Sequence, residues 1–525
     1  MASFCCRNSW ATPYEHQIAA IEAARKVRNG YVMLGCGAGK SLIALGFGTD
    51  PHFGNQNVLI VAGGRGASMQ FLEEVRKNTT LEEQGRLTWA FDKSEHSKNR
   101  PESSIHITSY DHLKKQLAQE HSSRIYTSKQ YHLVVLDECH RALADGAWNT
   151  ITKVVTKDVT RVIGLTGTPF RNPTKKELEG SAAGKNTLLQ QSSAFLKPLG
   201  PCFYSVRAKE LEDKKMTAKM EFEFVTVPSG PDMENYEHLD GNERRDTAAL
   251  NRNKALMIAS IVKKHWERGE TGIIFVQKLA CADAILRMAE LPFMRGIDKI
   301  TGTKGSKSSA SHDAHRKEVL RKLENKEMPA AVMTSAAEEG MNVLSISYVI
   351  LSDGPGNSIR SDTQRAGRGT RNAVPGVQKH STVYSLNTEN THEITEKQAY
   401  VDSIREQGFV GEEVSTYRMD VAEVMQSTGV SEEMLHDVAQ ILVNRQEEQA
   451  GKMHKDKVSK ERKAETNKYE DVRKARVQQA HHLFKFKVEK RVAQEKALEQ
   501  EQTVEIREAA GETGKEMYRA KKQKV

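Results

Sequence analysis

The chain predicts an α/β protein: two tandem domains, each a parallel sheet with flanking helices, followed by a helical, basic C-terminal extension. Three observations carry this. Short apolar runs alternate with helical or loop sequence through most of the chain, a glycine-rich loop follows the first run, and strand signals fade after Glu396 as charged helical sequence takes over. Alternating strand and helix signals make parallel sheets covered by crossover helices. A length of 525 residues accommodates about three domains of ~150 residues.

In the first half, strands are expected at 31–34, 58–61, 105–107, 133–136 and 162–165. A second block beginning near Asn251 offers strands at 272–276, 331–333, 348–351 and 382–385, with helices at 280–290 and around 315–324. Between the two blocks, segment 173–200 is polar and rich in Lys, Gly and Ser. The expected division is a first domain at 1–227, a linker at 228–252, a second domain at 253–400 and an extension at 401–525. No repeat of solenoid period occurs.

The glycine-rich loop sets the chemistry. Gly35, Gly37 and Gly39 alternate between an apolar strand and an apolar helix, so backbone N–H groups can curl around phosphates at a helix N-terminus. Lys40 then reaches the terminal phosphates, and the Ser41 hydroxyl suits Mg²⁺. The loop is a variant, with Leu34 where the strict phosphate-loop pattern has glycine. About a hundred residues later a second strand ends in Asp137 and Glu138, paired carboxylates that suit a metal-assisted nucleotide reaction. Ligands of open parallel sheets bind at the carboxyl ends of strands, and Lys40, Asp137 and Thr166 all fall there. The second block has no phosphate loop but carries Arg368 and Arg371 about one helical turn apart. Their guanidinium groups could cross a cleft to stabilise charge on a transferring phosphoryl group.

Composition excludes several alternatives. No apolar run approaches the ~18 residues of a membrane span. The first residues lack the apolar core of a secretory signal, and six scattered cysteines form no Cys-x-x-Cys pair, which argues against a disulfide framework or zinc module and for a reducing, intracellular setting. The net charge of +9 is concentrated: residues 452–496 hold 15 basic and 7 acidic residues. Such a segment can contact a polyanion with salt-dependent affinity, or form a solvated charged helix that docks a protein partner.

Over residues 11–410 the motifs stand in the order of the superfamily 2 helicases and translocases, and the chain resembles that family. The segment 13–17 is similar to the one whose glutamine reads adenine, 35–41 to motif I, 58–71 to the next motif, and 107–110 to a segment that contacts nucleic-acid backbone. Asp137 to His140 reads as a DExH form of motif II, 165–169 as motif III, 273–276 as motif IV, 334–342 as motif V and 364–371 as motif VI. The resemblance implies two RecA-like domains and an ATP hydrolase using ATP and Mg²⁺. It implies that Gln17 reads the base, Lys40 neutralises phosphates, and Ser41 and Asp137 hold Mg²⁺. Glu138 would activate water, His140 would couple the domains, and Gln364, Arg368 and Arg371 would line the cleft. Arg65, Ser109, Thr166 and Thr334 would contact nucleic acid.

Within the family, segments 166–172, 338–342 and 348–357 resemble Swi/Snf-type translocases, which track along duplex DNA. Motif II lacks the usual alanine before the histidine, motif VI ends Gly-Thr-Arg, and long inserts have no room. These features point to a compact relative of viral or bacteriophage kind. Double-stranded DNA is the expected partner. RNA, as for DExH RNA helicases, is the alternative, and a nucleotide-gated binding scaffold is a further one.

Overall fold

A computed structural model describes residues 13–50, 52, 57–91, 105–118, 131–144, 150–155, 160–167, 197–230, 233, 236–301, 309–334, 343–353, 359–370, 377–444, 478, 489–497 and 500. Residues Met1–Asn444 form one compact unit and Arg445–Val525 a second. In the second unit the described residues 489–497 are helical and exposed. Apart from residues 478 and 500, the rest of 445–525, which holds the expected basic segment, lies outside the described residues.

The first unit contains two parallel seven-stranded sheets. The first is built from β1 (Asn29–Leu34), β2 (Val58–Ala62), β3 (Leu87–Trp89), β4 (Ile105–Ser109), β5 (Leu133–Asp137), β6 (Arg161–Thr166) and β7 (Cys202–Val206), in the order 3-4-2-5-6-1-7. The second uses β8 (Lys219–Val227), β9 (Thr271–Val276), β10 (Asp298–Ile300), β11 (Ala330–Thr334), β12 (Ile346–Leu351), β13 (His380–Thr388) and β14 (Val414–Arg418), in the order 10-11-9-12-13-8-14.

Both sheets are covered on both faces, which explains why their central strands are continuously apolar instead of alternating. In β2, Val58 and Ile60 join one cluster with Ile43 and Phe47, while Leu59 and Val61 join another with Leu113 and Tyr131. In β9, Ile274 and Val276 pack with Leu256 and Ile285, and Ile273 and Phe275 with Leu323 and Tyr400. Each such aliphatic side chain contributes roughly 1.5–3 kcal/mol by burial, so these strands fix the register of each sheet.

The expected domain limits shift in two places. Strand β8 lies in the segment assigned to the first domain, yet it pairs with β13 and β14 of the second sheet. Strand β14 lies beyond residue 400 and completes that same sheet, and Met419, Val430, Leu435, Val438 and Leu442 bury into its core. The segment expected as a linker also folds onto the second domain: Asn251 and Asn253 donate to the Pro228 carbonyl at 2.9 and 3.1 Å, and Thr388 Oγ1 donates to Ala248 O at 3.0 Å.

Candidate active site

The glycine-rich loop leaves β1 and enters α1 (Lys40–Thr49). Gly37 and Gly39 have φ of 84° and 71°, and Gly39 caps the helix in the left-handed region where a Cβ is costly. The loop is braced from behind. Gln17, only 1% exposed, donates from Nε2 to Ala38 O at 3.1 Å and Gly39 O at 3.4 Å, and its Oε1 accepts from Tyr14 N at 3.0 Å. His16 Nε2 lies 2.8 Å from the same Ala38 carbonyl, and burial lowers its pKa. The residue expected to read the base is thus engaged with the loop backbone.

Lys40 lies beside the end of β6: a β-carbon on Gly167 would come within 2.7 Å of Lys40 Nζ. Asp137 ends β5, and Glu138 follows with φ of 46°, a left-handed backbone unusual for a side chain of this size. Burial, then the neighbouring Glu138 carboxylate, push the Asp137 carboxyl upward, while Lys40 and Arg141 pull it down. Glu138 Oε2 is buried without a hydrogen bond and lies 3.5 Å from His140 Nδ1, which is 3.3 Å from Thr166 Oγ1. Asp137, Glu138, His140 and Thr166 therefore form one line across the ends of β5 and β6. Burial pushes the intervening Cys139 thiol far up, as for an unreactive packing residue.

This arrangement fits a nucleotide and its metal. The open glycine loop and the orphaned Glu138 oxygen supply an anion cradle and an acceptor for water. Two adjacent carboxylates, one resisting ionisation, match a site completed by a divalent cation. Ser41 and Asp137 would hold it. Among the described residues no group of three or more His, Cys, Asp or Glu could hold a metal alone.

The second sheet reaches this loop through the segment after helix α2 (Ile359–Ala366). A β-carbon on Gly367 would sit 2.5 Å from Cys36 Cβ, and one on Gly37 would sit 2.7 Å from Thr370 Oγ1. Cys36 Sγ donates to the Thr363 carbonyl at 3.6 Å. Gln364, within that helix, and Arg368, just after it, are half-buried, and Arg371 lies outside the described residues. The neighbouring Arg365 is tied into its own domain, 3.3 Å from Asp362 Oδ1 and with its guanidinium 5.5 Å from the Phe275 ring centroid. Cys36, Thr363, Gly367 and Thr370 were not expected from sequence. A glycine in each motif was the available sign of close approach.

The expected nucleic-acid contacts stand at or just after the carboxyl ends of strands in both sheets. Arg65 is exposed after β2. Ser109 is 2% exposed and caps α3 (Tyr110–Leu117), accepting from His112 N at 3.3 Å. Thr166 is fully buried against His140. Thr334 is 7% exposed at the end of β11.

Two family models match the chain: "Type III restriction enzyme, res subunit" over residues 11–171 and "Helicase conserved C-terminal domain" over 253–373. A Halobacterium salinarum protein named as a Rad25 DNA 3′-5′ helicase is 26% identical over 360 residues, covering 68% of this chain and 51% of that protein. The XPB helicase/translocase subunit of the TFIIH basal transcription factor complex from Trypanosoma brucei is 24% identical over 427 residues, covering 75% and 41%. The chain thus spans about half the length of the curated relatives it matches. Among solved structures, the ATP-dependent Type ISP restriction-modification enzyme LlaBIII bound to DNA aligns with a TM-score of 0.53 at 14% identity, covering 82% of this chain and 32% of that one. A fragment assigned to the HsdR subunit of a type I restriction enzyme from Vibrio vulnificus YJ016 aligns at 0.51 and 15% identity, covering 78% and 69%. The two family matches and the paired sheets together indicate a superfamily 2 helicase core of two tandem RecA-like domains.

Proposed function

We propose that the chain is an ATP-dependent motor on DNA that hydrolyses nucleotide between its two RecA-like domains. The observation that carries this reading is the packing of Thr363, Gly367 and Thr370 against Cys36 and Gly37, because a phosphate on the loop would then be met by residues of both sheets. Lys40 would neutralise the terminal phosphates. Ser41 and Asp137 would hold Mg²⁺, which when bound draws charge from the phosphate oxygens. Glu138, with one oxygen unbonded, would orient the attacking water and take its proton. The proton-accepting carboxylate is linked through His140 to Thr166, so hydrolysis would be felt at the end of β6. Arg368, with Gln364 and Arg371, would stabilise charge as it develops on the transferring group. Oε1 of Gln17 keeps a lone pair beyond its bond to Tyr14 N and suits the exocyclic amine of adenine.

Duplex DNA is the substrate this reading favours. It rests on the relatives named for DNA helicase activity and on the Swi/Snf-like elements of the sequence. Movement along the duplex follows from opening and closing of the cleft, and the basic segment after residue 449 would add affinity. The test is steady-state ATPase of the purified chain with no nucleic acid, duplex DNA, single-stranded DNA or RNA, with Glu138→Gln as control. Greatest stimulation by duplex DNA, abolished in the variant, supports the reading. Stimulation by RNA alone makes the chain an RNA-dependent enzyme, and ATP binding without stimulated hydrolysis makes it a scaffold.

A further inference from the structure

Outside the nucleotide site, the exposed Arg65 at the start of helix α4 (Arg65–Asn78) is held from two directions. Its guanidinium carbon lies 5.9 Å from the Trp89 ring centroid and 5.4 Å from that of Phe91. The Trp89 indole N–H donates to Ser68 Oγ at 3.2 Å, and the Ser68 hydroxyl donates to the Arg65 carbonyl at 2.7 Å. One tryptophan thereby fixes both the backbone and, with Phe91, the side chain of this arginine. The rings are themselves braced: Trp89 and Phe91 are 5.3 Å apart, and Phe91 and His112 are 4.7 Å apart between centroids.

An unrestrained surface arginine carries rotamer entropy that binding must remove. Here much of that freedom is already lost, and no carboxylate among the described residues pairs with Arg65. A fixed, unneutralised guanidinium at the carboxyl edge of the sheet is complementary to a phosphate, whose oxygens match its fork of N–H donors. Trp89 and Phe91 are each half-buried, so their role toward such a ligand is to hold the arginine that meets it.

We propose that Trp89 and Phe91 are positioning residues that pre-organise Arg65 for a backbone phosphate of the nucleic acid, and so set affinity without contacting it. This rests on the reading of the chain as a DNA-binding motor with Arg65 at its DNA surface. Binding without sequence preference follows, because the ligand is the phosphodiester and not the base.

The experiment measures dissociation constants of the full chain for a fluorescent DNA duplex across a salt series, for the parent, Arg65→Gln, Trp89→Leu, Trp89→Phe and the Arg65→Gln/Trp89→Leu double variant. Arg65→Gln should weaken binding about five- to tenfold and reduce the slope of log K against log salt by about 0.9, as for one lost phosphate contact. Trp89→Leu should reproduce both effects, Trp89→Phe should recover most of them, and the double variant should equal Arg65→Gln alone. A parental salt slope in folded Trp89→Leu, or additive losses in the double variant, would overturn the proposal while leaving Arg65 as a contact. A parental slope in Arg65→Gln would overturn both it and the placing of Arg65, and a parent that binds no DNA would remove the functional reading beneath them. Thermal unfolding checks each variant, and if Trp89→Leu does not fold, Phe91→Leu and Phe91→Tyr replace the two tryptophan variants with the same expectations.

Discussion

The two sheets share one strand order: subtracting seven from each strand number of the second reproduces the first. Their matching strand ends are used differently. After β1 comes the glycine loop with Lys40, whereas after β8 comes Pro228, whose carbonyl accepts from Asn251 and Asn253 at the start of the helix Arg252–Trp266. At the end of β5, Glu138 keeps a buried oxygen without a hydrogen bond. After β12, Asp353 accepts from Gln277 N through Oδ2, while its Oδ1, like Glu138 Oε2, is buried without a hydrogen bond. Burial raises the pKa of Asp353 as it does that of Asp137, so burial alone does not distinguish a structural carboxylate from a candidate catalytic one. The neighbours do: a phosphate loop and a second carboxylate on one sheet, a backbone amide and the nearby charge of Lys254 on the other. Fold is shared, and function is set by the loops at the strand ends.

The largest expected contrast lies within motif VI. Arg368→Ala should lower kcat by about 10³–10⁵-fold with nucleotide binding retained. Arg365→Met, which removes the contact to Asp362 and the stack on Phe275, should mainly lower stability. Stopped-flow nucleotide binding beside steady-state ATPase separates the two, and equal losses of kcat would dissolve the distinction between them.

Next come the matched carboxylates. Glu138→Gln should reduce kcat by about 10²–10⁴-fold. Asp353→Ala should leave the chemistry of folded protein near parental while costing about 1–3 kcal/mol, because Gln277 N loses its acceptor. Urea unfolding and ATPase on the same samples make the comparison. A Glu138→Gln enzyme with parental kcat would remove the assigned base.

A buried pair shows how the second domain uses charge. Lys254 and Glu393 are 2% and 1% exposed, with Nζ 2.8 Å from both carboxylate oxygens. Lys254→Met should destabilise by about 3–5 kcal/mol, since Glu393 is left buried, and Lys254→Met with Glu393→Gln should recover part of that loss. Failure of the double variant to recover any stability would show that packing, and not charge, is what Lys254 supplies.

The smallest effect is a pH slope. Burial pushes the Glu396 carboxyl up to about 7 and lowers the pKa of His392, whose Nε2 is 4.0 Å from it, with Arg245, Glu393 and Lys254 as the other charged neighbours. A carboxyl held above its unfolded value contributes stability that is complete below the unfolded pKa and is lost as pH rises through 7. His392 acts in the opposite sense as pH falls below its unfolded value. Subtracting the Glu396→Gln profile from that of the parent isolates the carboxyl. Its Tm difference should decline from pH 5 to pH 8 by calorimetry, and a flat difference would remove this role for Glu396.

The central strands were legible from sequence because they are buried on both faces: β2, β5, β9 and β12 announce themselves as apolar runs. The edge strands β3, β7, β10 and β14 were not, and β8, next to an edge, alternates buried and half-buried positions. Exposed faces dilute the apolar signal, and β14 has no buried residue at all. In the candidate site, the glycine loop and Asp137–Glu138 were legible because their chemistry is local in sequence. The meeting of Cys36 with Gly367 was not, since it joins residues more than 300 positions apart through the packing of two domains.

The left-handed backbone at Glu138 has a consequence for how this molecule can change. Holding a long side chain there costs roughly 1–2 kcal/mol relative to glycine. A lineage released from selection for hydrolysis would therefore be drawn toward glycine or asparagine at this position, gaining robustness as it lost turnover. A laboratory screen for heat resistance would enrich the same substitutions.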